Sequence, residues 1–257
     1  MLIIEKKNKK IIRAKPEIVL FDKDGTLIDI HHYWASMLRM RSKKIIDQWF
    51  SNHGDKVNIE TRLIDAMGID LLTGKIKTIG PVGIKSRKFI ANLVTDIVRL
   101  NGVQIHNNEI EEIFLEIDRI TSKDMAPLLK PLPGIFTLIN QLEKKGVLMS
   151  VVSNDITSRT RLAMKTLKID HFFSEIIGGD DVKNNKPCPD LAINVSKKTG
   201  INTNKMMVIG DNPVDIQMGL SAGVNLNVAV LTGLSDIKSF DNLNCIVINN
   251  LKCIEVE

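Results

Sequence analysis

Two aspartates, Asp22 and Asp24, flank a lysine in Phe21-Asp22-Lys23-Asp24-Gly25-Thr26, directly after the apolar run Glu17–Phe21. Carboxylates at i and i+2 on a strand exit can divide a task. One attacks a phosphorus centre and coordinates Mg²⁺, and the other handles protons. Lys23 lies between them and, by strand alternation, is expected to point away from the pair. The same residues also fit a polar strand-to-turn exit in which Gly25 supplies an unusual backbone angle. Ser153-Asn154 follows a second apolar run, Val147–Val152, and offers a hydroxyl and backbone N–H groups that suit phosphate oxygens. Lys186 sits in Asn185-Lys186-Pro187-Cys188-Pro189-Asp190, where prolines restrict the loop and can aim its ammonium at an anion. Asp211 follows a third run, Met206–Ile209, and Asp215 comes four residues later at a predicted helix start. Acids so placed complete a hard-cation site that leaves positions for water and phosphate. Each segment alone has a plainer account: a turn for Ser-Asn, a solvent-facing loop lysine, or helix-start acids that complement the macrodipole. The last of these explains Asp215 but not Asp211.

Groups so far apart need a framework that brings them to one edge. Five short runs rich in Val and Ile, bounded by turn residues, read as strands: Glu17–Phe21, Val147–Val152, Met206–Ile209, Asn227–Leu231 and Cys245–Ile248. Their continuous apolar character predicts strands buried on both faces, as in a parallel sheet. Helices are predicted over Ile135–Lys145, Ser158–Leu167, Pro189–Thr199 and Pro213–Ala222, with Gly146, Gly200 and Gly223 just past three of the ends. Asn212 is the expected N-cap of the fourth. Strand and helix in alternation give an α/β fold, a doubly wound, mainly parallel, Rossmann-like sheet whose binding crevice lies past the carboxyl ends of the strands.

The stretch between Asp29 and Pro131 is far longer than an ordinary connection. Within it, Trp34, Met37, Leu38, Ile45 and Trp49 recur at helical spacing, as do Ile90, Leu93, Val94, Ile97 and Val98, and Ile110, Ile113, Phe114 and Ile117. We therefore expect an inserted all-helical cap domain over 30–130 and an α/β core over 1–29 and 131–257. The tryptophan stripe reads as cap core, and Gly80–Gly83 as a break. His31 and His32 stand at the cap entry, and Arg39, Arg41, Lys85, Arg87 and Lys88 are cap cations able to meet an anion. Two short N-terminal strands around Lys7-Asn8-Lys9 are expected, with Cys253–Val256 pairing nearby.

Net charge is +5, but much of the excess is one N-terminal cluster, Lys6, Lys7, Lys9, Lys10, Arg13 and Lys15, with no interleaved aromatics. That reads as a solvated charge run, so no nucleic-acid partner is expected. No apolar run reaches the ~18 residues of a membrane span, and the N-terminus lacks a signal-peptide pattern. Three cysteines without a pairing pattern or a CxxC motif point to a reduced, cytoplasmic setting and no zinc site.

Taken together and in order, the four segments resemble the haloacid dehalogenase-like hydrolase superfamily, in particular its phosphatases with a type-1 helical cap, similar to phosphoglycolate phosphatase. The likeness spans nearly the whole chain: DxDGT at Asp22–Thr26, Ser153-Asn154, Lys186 with its prolines, and GDxxxD at Gly210–Asp215. The insertion falls where that subgroup places its cap. The resemblance implies that Asp22 is the nucleophile that becomes an aspartyl-phosphate. It implies that Asp24 protonates the leaving oxygen and then activates water. Mg²⁺ would be held by the Asp22 carboxylate, the Asp24 backbone carbonyl and the Asp211 carboxylate. Ser153 and Lys186 would hold phosphoryl oxygens, Asn154 would assist through backbone or amide, and Asp215 would orient Lys186 or the metal's waters. The implied activity is Mg²⁺-dependent hydrolysis of a small phosphorylated metabolite, phosphoglycolate- or sugar-phosphate-like. The alternatives are a phosphomutase on the same scaffold and a non-catalytic phospho-ligand-binding protein. Against the latter stands the like-charged cluster of Asp22, Asp24 and Asp211, unfavourable without a cation. Receiver-type phospho-acceptors distribute their acids differently, and the dehalogenase branch lacks an acid at the position of Asp24.

Overall fold

Among the described residues, runs of β-branched residues flanked by turns form nine strands: β1 (Leu2–Glu5), β2 (Ile11–Ala14), β3 (Ile18–Phe21), β4 (Leu148–Val152), β5 (Glu175–Ile177), β6 (Met206–Gly210), β7 (Leu226–Val230), β8 (Ile246–Ile248) and β9 (Ile254–Val256). They are seen in a computed structural model that describes residues 1–5, 11–82 and 85–257. Eight α-helices accompany them: α1 (Ile30–Ile45), α2 (Lys56–Met67), α3 (Arg87–Leu100), α4 (Asn107–Lys123), α5 (Ile135–Lys144), α6 (Thr157–Thr166), α7 (Asp190–Thr199) and α8 (Pro213–Ser221). None of the described helices is long and apolar enough to cross a membrane.

The main sheet has six parallel strands in the order β5-β4-β3-β6-β7-β8. β3, which leads into Asp22, lies between β4 and β6, and Phe21 is in register with both Val151 and Ile209. The polar residues after these three strands therefore emerge at one level. All four residues of β3 are buried, as strands covered on both faces must be. Ile18 and Leu20 pack with Leu191 and Val195 of α7 and Met218 of α8, fixing one helical layer on the sheet. β5 was not among the five expected strands. Its three residues, Glu-Ile-Ile, are too few for a readable pattern.

A second, antiparallel sheet has the order β2-β1-β9, with Ile4 paired to Ile12 and Ile254. Leu2, Ile4 and Ile254 are buried on one of its faces. The turn read around Lys7-Asn8-Lys9, the lysines Lys6, Lys7, Lys9 and Lys10, and Gly83 of the Gly80–Gly83 stretch lie outside the described residues.

The chain divides into two compact units, Met1–Asp29 with Leu129–Glu257, and Ile30–Leu128. The second is helical, α1 to α4, with a π-helical turn over Ile46–Phe50. Its buried aromatics are Tyr33, Phe50 and Phe114, whereas Trp34 and Trp49 are half-buried. Met37, Leu38 and Ile45 of the expected stripe are buried, while at the two tryptophan positions the buried ring belongs to the adjacent residue, Tyr33 or Phe50. Arg41 is buried here: it donates to Asp118 Oδ1 at 3.0 Å and stacks 4.3 Å over the Phe114 ring. Arg87 also pairs with Asp118, and Arg39 donates to the Gly74 carbonyl at 3.3 Å. Of the cations read as able to meet an anion, Arg41 instead belongs to the interior of its unit.

Candidate active site

The nucleophile candidate Asp22 directly follows β3, and its N–H donates to the Ile209 carbonyl at 2.9 Å, tying it to β6. Behind it the chain turns at once. The Lys23 carbonyl accepts from Leu27 N–H and Ile28 N–H, both at 3.0 Å, and Gly25 takes φ +93°, a left-handed conformation that favours glycine. A Cβ on Gly25 would also run into the Asp211 carboxylate, so the glycine is required twice over. Gly233 gives the same close approach to Asp211 from the residues after β7, and Gly210 to Asp215. The acids are therefore wedged against backbone that only glycine permits.

Lys186 is not the exposed loop lysine its surroundings allowed; it is buried. Its three ammonium donors meet Asp22 Oδ1 at 2.6 Å, Asp215 Oδ1 at 2.8 Å and the Val152 carbonyl at 2.8 Å. Asn154 holds the lysine's backbone on both sides, accepting from Lys186 N–H at 3.0 Å and donating to its carbonyl at 3.4 Å. The Asn154 amide is thus engaged in fixing the loop. Asp215 divides its two oxygens: Oδ1 takes Lys186, and Oδ2 accepts from Asn212 N–H at 3.0 Å. Asn212 Oδ1 in turn accepts from Val214 N–H at 3.2 Å, closing a capping box at the start of α8. Ser153, buried at the end of β4, accepts from Asp155 N–H at 3.1 Å.

Asp22, Asp211 and Asp215 each offer a ligand atom, and these lie within 4.8 Å of one another. The electrostatics of the cluster match a cation site. Burial pushes Asp22 up to about 6, a rise countered by Lys186 and reinforced by Asp215. Burial, with Asp22 and Asp215 nearby, holds Asp211 well above the usual carboxylate range. Asp24 is also raised, by burial first, with Lys23 opposing and Asp155 and Asp22 adding. Burial alone would lower Lys186, but Asp215 and Asp22 more than offset it and the ammonium is stabilised. Lys186 alone leaves Asp22, Asp211 and Asp215 short of positive charge, and their all-oxygen donor set suits a hard divalent ion such as Mg²⁺.

The structure brings every expected site residue of the α/β unit, Asp22, Asp24, Ser153, Asn154, Lys186, Asp211 and Asp215, to the carboxyl ends of β3, β4 and β6 or the loop beside them. Lys23 departs from expectation. Its ammonium lies 3.0 Å from Asp24 Oδ2 and 2.8 Å from Asp155 Oδ2, so it faces the acid it was expected to avoid. Alternation fails because the strand ends at Phe21 and the next residues turn. Asp155 was overlooked as well. An acid directly behind Ser153-Asn154 was the available signal for a buried lysine's counter-charge.

Comparison with known proteins places this arrangement. Residues 84–229 match the family model described as haloacid dehalogenase-like hydrolase. The phosphoglycolate phosphatase of Escherichia coli K12 is 36% identical over 91 residues, 35% of this chain and 36% of that protein, so the match spans little more than a third of the curated relative. The phosphoglycolate phosphatase of Aquifex aeolicus is 23% identical over 83% of this chain and 84% of its own length. Among solved structures, a Thermotoga maritima protein provisionally assigned as a β-phosphoglucomutase aligns at TM-score 0.66 and 17% identity, covering 92% of this chain and 95% of that one. A HAD-superfamily hydrolase of subfamily IA from Geobacter sulfurreducens aligns at TM-score 0.61 and 17% identity, over 93% and 95%. With more than half of its length matched by the family model, the chain belongs to the haloacid dehalogenase-like hydrolases.

Proposed function

We propose that this protein is a Mg²⁺-dependent phosphatase acting on a small phosphorylated metabolite of the phosphoglycolate or sugar-phosphate class. The observation that carries the reading is the position of Asp22, whose Oδ1 is held by the buried Lys186 at 2.6 Å within a cluster of acids short of positive charge. In the first half-reaction an Asp22 carboxylate oxygen attacks phosphorus, the bond to the leaving oxygen breaks, and Asp24 delivers the proton that oxygen needs. In the second, Asp24 takes a proton from water. The water oxygen bonds to phosphorus, the Asp22–phosphorus bond breaks, and inorganic phosphate leaves. Lys186 places fixed positive charge beside the transferring group, and Ser153 offers its hydroxyl to an equatorial oxygen. Asp22, Asp211 and the Asp24 backbone carbonyl would hold Mg²⁺, which when bound supplies charge neutralisation for the nucleophile and the phosphoryl oxygens. Asp215, with both oxygens engaged, serves to orient Lys186.

The helical unit, 30–130 in our assignment, is read as the cap that sets selectivity. Fold likeness to the Thermotoga maritima protein keeps a phosphomutase as the second reading. The test is a panel of phosphorylated metabolites with Mg²⁺. Release of inorganic phosphate, lost with a chelator and restored by Mg²⁺, supports the phosphatase. An isomerised sugar phosphate without phosphate release identifies the mutase, and no turnover of any kind leaves only phospho-ligand binding.

A further inference from the structure

Burying an ammonium is costly unless carboxylates surround it, and Lys23 is almost wholly buried at 1% exposure between two of them. Its partners have different surroundings. Asp155 is anchored on its own account: Oδ1 accepts from Ile156 N–H at 2.8 Å, its carbonyl accepts from Gly179 N–H at 2.9 Å, and Arg159 Nε lies 3.9 Å from Oδ2. Asp24 is tied through one oxygen only. Oδ2 meets Lys23 at 3.0 Å, while Oδ1 is buried with no hydrogen-bond partner among the described residues. An acid–base carboxyl needs that asymmetry, one oxygen held and the other left for the reacting groups.

We propose that Lys23 is a positioning residue for Asp24, an ammonium strut that fixes the carboxyl by bracing it against Asp155. The strut joins the segment after β3 to the segment after β4, where Asp155 N–H also holds the Ser153 hydroxyl. The acid–base group and the phosphate-binding hydroxyl are thereby set by one connected piece of structure. The proposal rests on the reading of Asp24 as acid and base, and it adds a residue pair, Lys23 and Asp155, whose loss strikes the proton step while leaving Asp22 and Lys186 untouched.

The experiment compares kcat/KM, which reports phosphoenzyme formation, for an alkyl phosphate and for p-nitrophenyl phosphate. General acid catalysis is worth ~10²–10⁴-fold where the leaving group needs a proton, and little where it does not. Lys23→Met is expected to lower kcat/KM at least about tenfold on the alkyl phosphate and less than about threefold on p-nitrophenyl phosphate, with Lys23→Arg recovering most of the loss. Equal losses on the two substrates, or no loss, would overturn the proposal, since a merely structural lysine has no reason to discriminate leaving groups. Should Lys23→Met not fold, Asp155→Asn must reproduce the leaving-group-dependent loss, and its failure to do so counts equally against the strut. A crystal structure of Lys23→Met or, failing that, of Asp155→Asn gives a readout independent of turnover: the Asp24 carboxyl is expected to leave its single position, and an unmoved carboxyl refutes the idea. Wild-type turnover and its loss in Asp22→Asn test the phosphatase reading separately, so the two failures are distinguishable.

Discussion

At the residue scale the site depends on charges held out of water. Asp22→Asn removes an oxygen of the proposed nucleophile while nearly preserving shape, and we expect turnover to fall by more than about a hundredfold with no phosphoenzyme trapped on acid quench. The raised acids have a second consequence, for stability. Asp22 ionises near 6 in the folded chain against 3.8 in its ordinary state, so between those values the native protein binds more protons than the unfolded one. Stability of the metal-stripped protein should therefore decline as pH rises through that window, and the penalty is complete above it. A cation relieves it by replacing the proton. We expect Mg²⁺ to raise Tm clearly at pH 7.5 and hardly at pH 5, and Asp211→Asn to stabilise the metal-free form while erasing the Mg²⁺ effect. A scanning calorimetry series decides this, and an identical Mg²⁺ shift at both pH values would contradict it.

Elements place these residues, and their legibility in sequence was uneven for physical reasons. β3, β4 and β6 announced themselves because strands covered on both faces are largely apolar, with Ser150 of β4 the polar exception. The start of α8 was equally plain: Asn212, Pro213 and Asp215 are the residues that a helix N-terminus requires. Lys23 was misread because alternation was carried past Phe21, where the strand ends and the chain turns at once. Gly233 went unnoticed because its necessity comes from the Asp211 carboxylate, distant in sequence. The α8 cap yields a test. Asn212→Ala is expected to cost about 1 kcal/mol of stability by urea unfolding. It should also lower kcat by loosening Asp215 and through it Lys186. Gly233→Ala is expected to affect the acids more than the fold, weakening Mg²⁺ affinity with a smaller change in urea midpoint.

For the whole molecule, the long insertion leads us to expect a helical unit over 30–130, because no ordinary connection inside an α/β sheet needs so many residues. The described residues divide into Ile30–Leu128 and the remainder. The interior of the helical unit was less readable. Phe114 was legible from spacing, but the burial of Tyr33 and Phe50 and the Arg41–Asp118 pair follow from packing among helices that spacing on any one helix does not reveal. If this unit sets selectivity, replacing 31–128 with a short linker should leave the six-stranded core folded by circular dichroism. Activity on the best natural substrate should then fall far more than activity on small activated phosphates. Undiminished kcat/KM on the natural substrate would move the search for selectivity to the core loops.

The central place of β3 also bears on how the chain is made. Its four buried residues, Ile-Val-Leu-Phe, emerge from the ribosome before both neighbours in the sheet, which lie beyond the inserted unit, β4 at Leu148 and β6 at Met206. At ~5–20 residues per second, roughly 10–40 s separate the synthesis of β3 from that of β6. Until β4 is made the strand has apolar side chains on both faces and unpaired backbone on both edges, and until β6 is made one edge stays open, a template for the wrong partner. Nascent chains stalled before residue 148 should therefore present 18–21 to chaperones or aggregate, while the helical unit between has all of its own partners and can fold. Chains stalled well past residue 210, with the strand enclosed on both sides, should resist protease at Phe21. Asp22 is thus translated before the strands that secure it.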